Sequence, residues 1–293
     1  MKKHIVKLSD NRKTLLAYLK ENMDLSSRKA KKLLSMGIKV NGKKAYGDTK
    51  LKDGDILILE EDISEDYIKP EMMKLSIIYE DDHILAINKP PNLLVHPTKN
   101  HISGTLANGI RYYLDMRGIR EPVRFFNRID MNTSGIVVAA KSSQAHSLLD
   151  RYSAETMEKK YIAVISGVPS DKCGKIRLPI SDDTDTEGRR YISDEGKSAV
   201  TEYQVLEEYE DASLVSVIIK TGKTHQIRVH FSSIGHPLLG DKLYGGPDDD
   251  IERQALHAWQ LNFLHPIDKK NINLKAGLPS DILMLLQKLR GEA

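Results

Sequence analysis

Hydrophobic periodicity divides the 293-residue chain into stretches of different rhythm. Residues 12–36 carry a helical period, and two short helices are expected there. In the second, Ala30, Leu33 and Leu34 fall on one face, and Arg28, Lys31 and Lys32 on the other. Ser26 or Ser27 can cap this helix and Gly37 can end it. Asn41-Gly42 reads as a hairpin turn between short extended pieces, and GDILILEE as a strand ending near Glu60. Residues 61–74 are acidic, contain Pro70 and show no period, which marks a linker. From Leu75 onward short apolar runs dominate. LSIIY and ILAIN flank a turn at Glu80-Asp81-Asp82, and Lys89-Pro90-Pro91 then breaks the pattern. Two prolines in a potential strand suggest an edge or a loop close to a site. Residues 103–118 have a helical period, starting at Ser103 and ending at Gly118. Ile136, Val137 and Val138 form an unbroken apolar run, the mark of a buried strand. Residues 143–154 fit a helix packed back on it, and Tyr161, Ala163 and Ile165 alternate as a strand does. Residues 173–197 are rich in Asp, Gly, Thr and Arg and read as an irregular hairpin or insertion. Strands are expected at 200–206 and 214–220, then at HQIRVHF after Gly222, and again at 255–264. A last amphipathic helix can start at Ser280. Strands predominate, without strict β-α alternation. The fold class is therefore α+β: a mixed, largely antiparallel central sheet with flanking helices.

Composition adds a boundary. Residues 1–60 carry 15 Lys and Arg against 7 Asp and Glu, whereas the whole chain carries 44 against 41. A basic module for a polyanion joined to a body with another task fits this asymmetry. The expected organisation is a small basic N-terminal α/β module at 1–60, a linker at 61–74 and a larger domain at 75–293. The single cysteine, Cys173, leaves neither a disulfide framework nor a cysteine-rich zinc site. The N-terminal MKKHIVKLSD lacks the apolar core of a secretory signal. No apolar run approaches the roughly 18 residues that span a bilayer. A reducing, cytoplasmic setting without a membrane partner is expected.

The chemistry concentrates in NRIDMNTSGIVVAAK, residues 127–141. Asp130 stands beside a Thr-Ser-Gly turn that leads into the buried strand, so its carboxylate is held by its surroundings. An aspartate at such a place also commonly caps the turn. Thr221-Gly222-Lys223-Thr224 is not a phosphate-binding loop, because Val217 occupies the position of the required first glycine. Strand formers follow it instead of a helix. On a strand, His225 and His230 would point to opposite faces and could not share a metal. Arg228, between Ile227 and Val229, can face solvent or a polar pocket. If it meets Asp130, the guanidinium favours the ionised carboxylate.

Five blocks in order, NKPPNLLVHP, NRIDMNTSGIVVAAK, EKKYIAVISG, KTGKTHQIRVHFSSIGHPLLGDKLYGG and ALHAWQLNFLHP, resemble the RluA-type pseudouridine synthases. The N-terminal LSSRKAKKLLSMGIKVNGKKA, with its trailing GDILIL, resembles the small RNA-binding module first described in ribosomal protein S-four. The resemblance implies an isomerase converting uridine to pseudouridine in RNA, with no cofactor. It puts the essential aspartate at Asp130, the active-site tyrosine at Tyr161 and the pocket arginine at Arg228. The arginine that helps displace the target base falls on Arg128. Lys220, Lys223 and His225 are expected to contact RNA in the catalytic domain, and Arg28, Lys29, Lys31 and Lys32 in the module. Ribosomal RNA of the large subunit is the expected partner, and the chain is expected to act as a monomer. Asn127 stands where the family usually has His, Met131 where a charged residue is common, and Lys220 and Lys223 where arginines are frequent. The alternative is a non-catalytic RNA-binding or ribosome-assembly protein retaining the fold.

Overall fold

The computed structural model describes residues 2–23, 27–59, 68–98 and 100–292. The chain divides into two compact units, 1–67 and 68–293.

In the first unit, β1 (Lys2–Ile5), β2 (Lys39–Val40), β3 (Lys43–Lys44) and β4 (Ile56–Leu59) form an antiparallel sheet in the order β1-β4-β2-β3. Asn41 and Gly42 have φ of 50° and 79°. Both central positions of the β2–β3 turn are thus left-handed, as a two-residue hairpin with the strands' own twist requires. Helices Leu15–Glu21 and Ser27–Met36 cover the sheet and bury Leu15, Leu19 and Ala30 with Ile38 and Leu57. Gly37, at φ 97°, ends the second helix. Lys31 is exposed on it. The side chains of Arg28, Lys29 and Lys32, and residues 24–26 and 60–67, lie outside the described residues.

In the second unit, β5 (Ile77–Glu80), β6 (Ile84–Lys89), β7 (Arg124–Phe125), β8 (Ser134–Ala140), β9 (Glu158–Ser166), β10 (Cys173–Ile176), β11 (Thr201–Glu208), β12 (Ala212–Ile219), β13 (Leu256–Leu264) and β14 (Asn271–Lys275) form a single sheet. Its main order is β10-β11-β12-β9-β13-β8-β6-β5, with β14 on β13 and β7 on β8. Among the described residues every pairing is antiparallel except β13 with β8. All seven residues of β8 are buried. Ile136, Val138 and Ala140 enter one core cluster, while Val137 and Ala139 enter another on the opposite face. A strand covered on both faces reads as a continuous apolar run. Helices Leu106–Asp115, Ser143–Thr156, Gln226–Ser233 and Ser280–Leu289 flank the sheet. The first is shorter than its periodicity implied, because Thr105, paired with Asn108, occupies the cap position.

HQIRVHF departs from the expected strand: Gln226–Ser233 is helical, and Gln226 through Phe231 are all buried. The Gln226 side chain explains the start. Its Oε1 accepts from Thr221 Oγ1 (2.8 Å) and the Lys223 N–H (3.1 Å), and its Nε2 donates to the Val200 carbonyl (3.0 Å). Ile227 and Phe231, one turn apart, then share the core beneath β9 and β12. Buried all round, the helix shows no polar stripe, and Ile-Arg-Val-His-Phe imitates strand alternation.

The parallel crossing of β8 and β13 depends on Gly135. Its φ is +112°, and a Cβ there would lie 2.2 Å from the Ala258 carbonyl oxygen. Gly135→Ala combines a disallowed backbone with a clash against another strand. It should cost more than about 2 kcal/mol, read as a lowered urea midpoint. A variant as stable as the parent would contradict this packing.

Candidate active site

Asp130 lies between the end of β7 and the start of β8, where the chain turns sharply. The Thr133 N–H donates to the Asp130 carbonyl at 3.2 Å. Three successive residues after Asp130 are each held by a different side chain. Lys89 Nζ donates to the Met131 carbonyl (2.8 Å), Arg253 Nη1 to the Asn132 carbonyl (2.9 Å), and Gln254 Nε2 to Thr133 Oγ1 (3.3 Å). Asn127 anchors the approach. Its amide donates to the Ile136 carbonyl and accepts from the Val138 N–H, both at 2.8 Å, so it extends the β8 pairing with its side chain. Asn127 thus has a structural task of its own at a position where the resembling family usually has His.

Asp130 faces a cleft of about 620 Å³ lined by Arg128, Tyr161, Lys159, Lys223, His225 and Arg228, among others. Tyr161 on β9 and Arg228 on the Gln226–Ser233 helix therefore share the cleft with it. The sequence reading put Arg228 on a strand. It reaches the cleft from the first turn of a helix, and the argument that His225 and His230 oppose each other across a strand lapses with it. His230 turns away to Thr201 Oγ1 (2.8 Å) and the Leu178 carbonyl (2.9 Å).

Arg228 Nη1 lies 3.4 Å from Asp130 Oδ2. Its stronger partner is Asp241, which takes Nε at 2.7 Å and Nη2 at 2.8 Å in a two-pronged pair. Asp241 is buried, and it neutralises much of the charge Arg228 would otherwise direct at Asp130. Tyr161 is 7% exposed, and its hydroxyl makes no hydrogen bond among the described residues. Burial, with the Asp130 charge adding to it, drives its pKa well up, so the phenol keeps its proton. Arg128 is exposed on the cleft wall, with no hydrogen bond or ion pair among the described residues. Lys223 and His225 line the cleft, whereas Lys220 does not; Lys220 stands 3.7 Å from Glu202, which also pairs with Lys175 at 2.9 Å.

Sequence reasoning missed Lys159, Asp241, Lys89, Arg253 and Gln254. Lys159 carried a usable signal, since it lies two residues before Tyr161 and a strand repeats its face every two residues. Asp241 follows a glycine in a loop and shows nothing in the sequence that distinguishes it from a surface aspartate.

Residues 83–233 match the family model described as RNA pseudouridylate synthase. The chain belongs to this family. The synthase is thus an isomerase acting on RNA. It is 39% identical over 254 residues to the uncharacterized RNA pseudouridine synthase YjbO of Bacillus subtilis, covering 85% of this chain and 89% of that one. It is 36% identical over 237 residues to ribosomal large subunit pseudouridine synthase D of Zymomonas mobilis, covering 75% and 74%. Among solved structures, human RNA pseudouridylate synthase domain containing 4 superposes with a TM-score of 0.61 at 26% identity, over 73% of this chain and 93% of that one. Domain containing 1 gives 0.58 at 29%, over 74% and 95%.

Behind the Asp130 turn of the synthase, His257 is fully buried between Ser134 Oγ (2.9 Å from Nδ1) and the Ala276 carbonyl (3.3 Å from Nε2). A carbonyl only accepts, so Nε2 carries the proton and the Ser134 hydroxyl donates to Nδ1. Burial pushes the His257 pKa down to about 4. The unfolded chain takes up this proton near pH 6.5, the folded one only near pH 4. Stability from His257 is therefore complete above pH 6.5 and is lost as pH falls through 4. Over that window the parent should lose about 3 kcal/mol that His257→Gln does not lose. Urea titrations at several pH values would show it, and parallel curves for the two proteins would refute it.

Proposed function

We propose that the synthase converts uridine to pseudouridine in large-subunit ribosomal RNA in the cytoplasm, with Asp130 acting at the ribose. The observation that carries this reading is the shared cleft: an aspartate on a braced turn, a buried protonated tyrosine and a buried arginine, with a free arginine on the wall. Isomerisation breaks the bond from C1′ to N1 and forms one from C1′ to C5, while the C5 proton leaves and N1 gains one. The base must first leave its stack, at a cost of a few kcal/mol in a duplex. Arg128 takes the space or a phosphate next to the displaced base. Asp130 either attacks C1′ or removes the 2′ proton. Tyr161 acts as a neutral donor and as a flat surface for the uracil, since its proton stays on through the neutral range. Arg228, held by Asp241, orients Asp130. Ribosomal RNA as the substrate rests on relatives named for the large subunit.

Asp130→Asn should abolish tritium release from RNA labelled at uracil C5 while RNA affinity stays within a few-fold of the parent. If the chain were an RNA-binding or assembly protein without activity, no RNA would release tritium with either form.

The N-terminal unit then serves as the RNA-binding module of the ribosomal protein S-four type, with Arg28, Lys29, Lys31 and Lys32 meeting phosphates. Such contacts add affinity without reading sequence. Replacing Arg28, Lys31 and Lys32 together by Ala should lower the log–log salt slope of RNA binding by about 2, at roughly 0.7 for each single-strand phosphate. An unchanged slope would remove the module's helix from the interface.

A further inference from the structure

A directional chain of hydrogen bonds runs to His225, whose ring faces Asp130. The Arg190 N–H donates to the Tyr244 hydroxyl oxygen at 2.9 Å. The same hydroxyl lies 3.0 Å from His225 Nδ1. Tyr244 is 8% exposed, and among the described residues its hydroxyl has no other partner. A backbone N–H can only donate, so the phenol oxygen accepts there and its own proton needs an acceptor. Leaving that proton unpaired would cost about 1–3 kcal/mol, and the acceptor at hand is Nδ1. Nδ1 therefore carries the lone pair, and the neutral ring must hold its proton on Nε2. Nε2 stands 3.9 Å from Asp130 Oδ2.

The ring has little freedom to do otherwise. His225 sits at φ 57°, left-handed, at the start of the Gln226–Ser233 helix, a conformation that costs energy for a residue with a side chain. Tyr244 packs edge-on against it, with centroids 5.7 Å apart at 89°. The charged groups bearing on the ring are Asp130, Arg228, Asp241 and Arg190. Burial lowers its pKa first, opposed by Asp130 and Asp241 and aided by the two arginines. The His225 imidazole is thus kept neutral as well as oriented.

We propose that His225 is a positioning residue for Asp130: a neutral Nε2–H donor that closes on Oδ2 when RNA fills the cleft and, with Arg228 Nη1, aims the carboxylate at the ribose. Catalytic hydrogen bonds are often long in the empty enzyme and tighten around substrate. The irregular segment between β10 and β11 gains a task in this scheme, because its Arg190 N–H decides which way the Tyr244 hydroxyl points. The sequence reading made His225 an RNA contact; here its partner is the protein's own carboxylate.

Two measurements test this. In the full chain labelled with ¹⁵N-histidine, the His225 nitrogens, assigned by their loss in His225→Gln, should show Nε2 protonated and Nδ1 bare. Tyr244→Phe should convert this to a mixture of tautomers. A protonated Nδ1, or a tautomer indifferent to Tyr244→Phe, overturns the proposal, and these spectra need no RNA. The kinetic arm rests on the isomerase reading. In single turnovers, His225→Phe should slow tritium release roughly 10-fold or more with RNA affinity within twofold of the parent. His225→Gln, whose amide N–H can stand in for Nε2–H, should recover most of the rate. Equal losses for Phe and Gln, or a loss confined to affinity, would overturn it.

Discussion

The turn that carries Asp130 is fixed by buried donors placed behind it, and the site depends on them. Lys89 is fully buried, yet its ammonium finds three carbonyls, those of Pro90 (2.8 Å), Leu93 (2.9 Å) and Met131 (2.8 Å). Burial pushes its pKa down to about 7, with nearby Arg253 adding to that and Asp130 opposing it. Three acceptors for three protons favour the ammonium in return. Arg253, paired with Asp281 at 2.6 Å, reaches the next carbonyl and Ser134 Oγ. Desolvating such cations costs several kcal/mol unless each N–H is satisfied. Here nearly every one is, and two of the carbonyls they hold, those of Met131 and Asn132, belong to the turn after Asp130.

That arrangement separates the supports behind the turn from a working face in the cleft. Backbone carbonyls, Asp281 and Asp241 consume the hydrogen-bonding capacity of Lys89, Arg253 and most of Arg228. The Asp130 carboxylate receives a single contact from Arg228, at 3.4 Å. Its side chain is 27% exposed, so the remaining lone pairs face the cleft. A carboxylate saturated by its own protein would be a poor reactant, whereas one with a braced backbone and open oxygens suits the action at a ribose proposed for Asp130.

Legibility in the sequence followed the same division. The strand after Asp130 was readable because burial on both faces leaves an unbroken apolar run. The hairpin at Asn41-Gly42 was readable because few residues tolerate two successive left-handed positions. Tyr161 and Asp130 came from motif resemblance, with period-two alternation leaving the side of Tyr161 open. The helix at Gln226 was not readable. A helix buried on every side loses the polar stripe that identifies it, and its Ile-Arg-Val-His-Phe order matches a strand. Lys89-Pro90-Pro91 pointed to a loop near a site, and Leu94, Val95 and His96 just after it line the cleft. Nothing in the sequence, however, said that the lysine is the buried member, since an ammonium is expected in water. Asp241 and Arg253 were invisible for a further reason. Their importance lies in partners 13 and 28 residues away, Arg228 and Asp281, and no local pattern encodes that pairing.

In the proposed scheme, Arg128 gives the braced turn its purpose. Its neighbour Asn127 is locked to β8 by two bonds of 2.8 Å, and Asp130 lies two residues on, at most about 7 Å of extended chain. The backbone of Arg128 is therefore as firmly placed as that of Asp130, while its guanidinium stays exposed. A side chain that must enter the space of a displaced base needs reach, and it needs a fixed origin relative to the atom that reacts. A firm base with a free tip supplies both. The same two residues on a flexible loop would lose the register between displacing a nucleotide and attacking it, and effective molarity falls steeply once reacting groups are misplaced by an ångström. With Arg128 displacing the base and Asp130 reacting, as proposed, the stiffness behind the turn is part of the chemistry, because it ties the movement of the base to the position of the carboxylate.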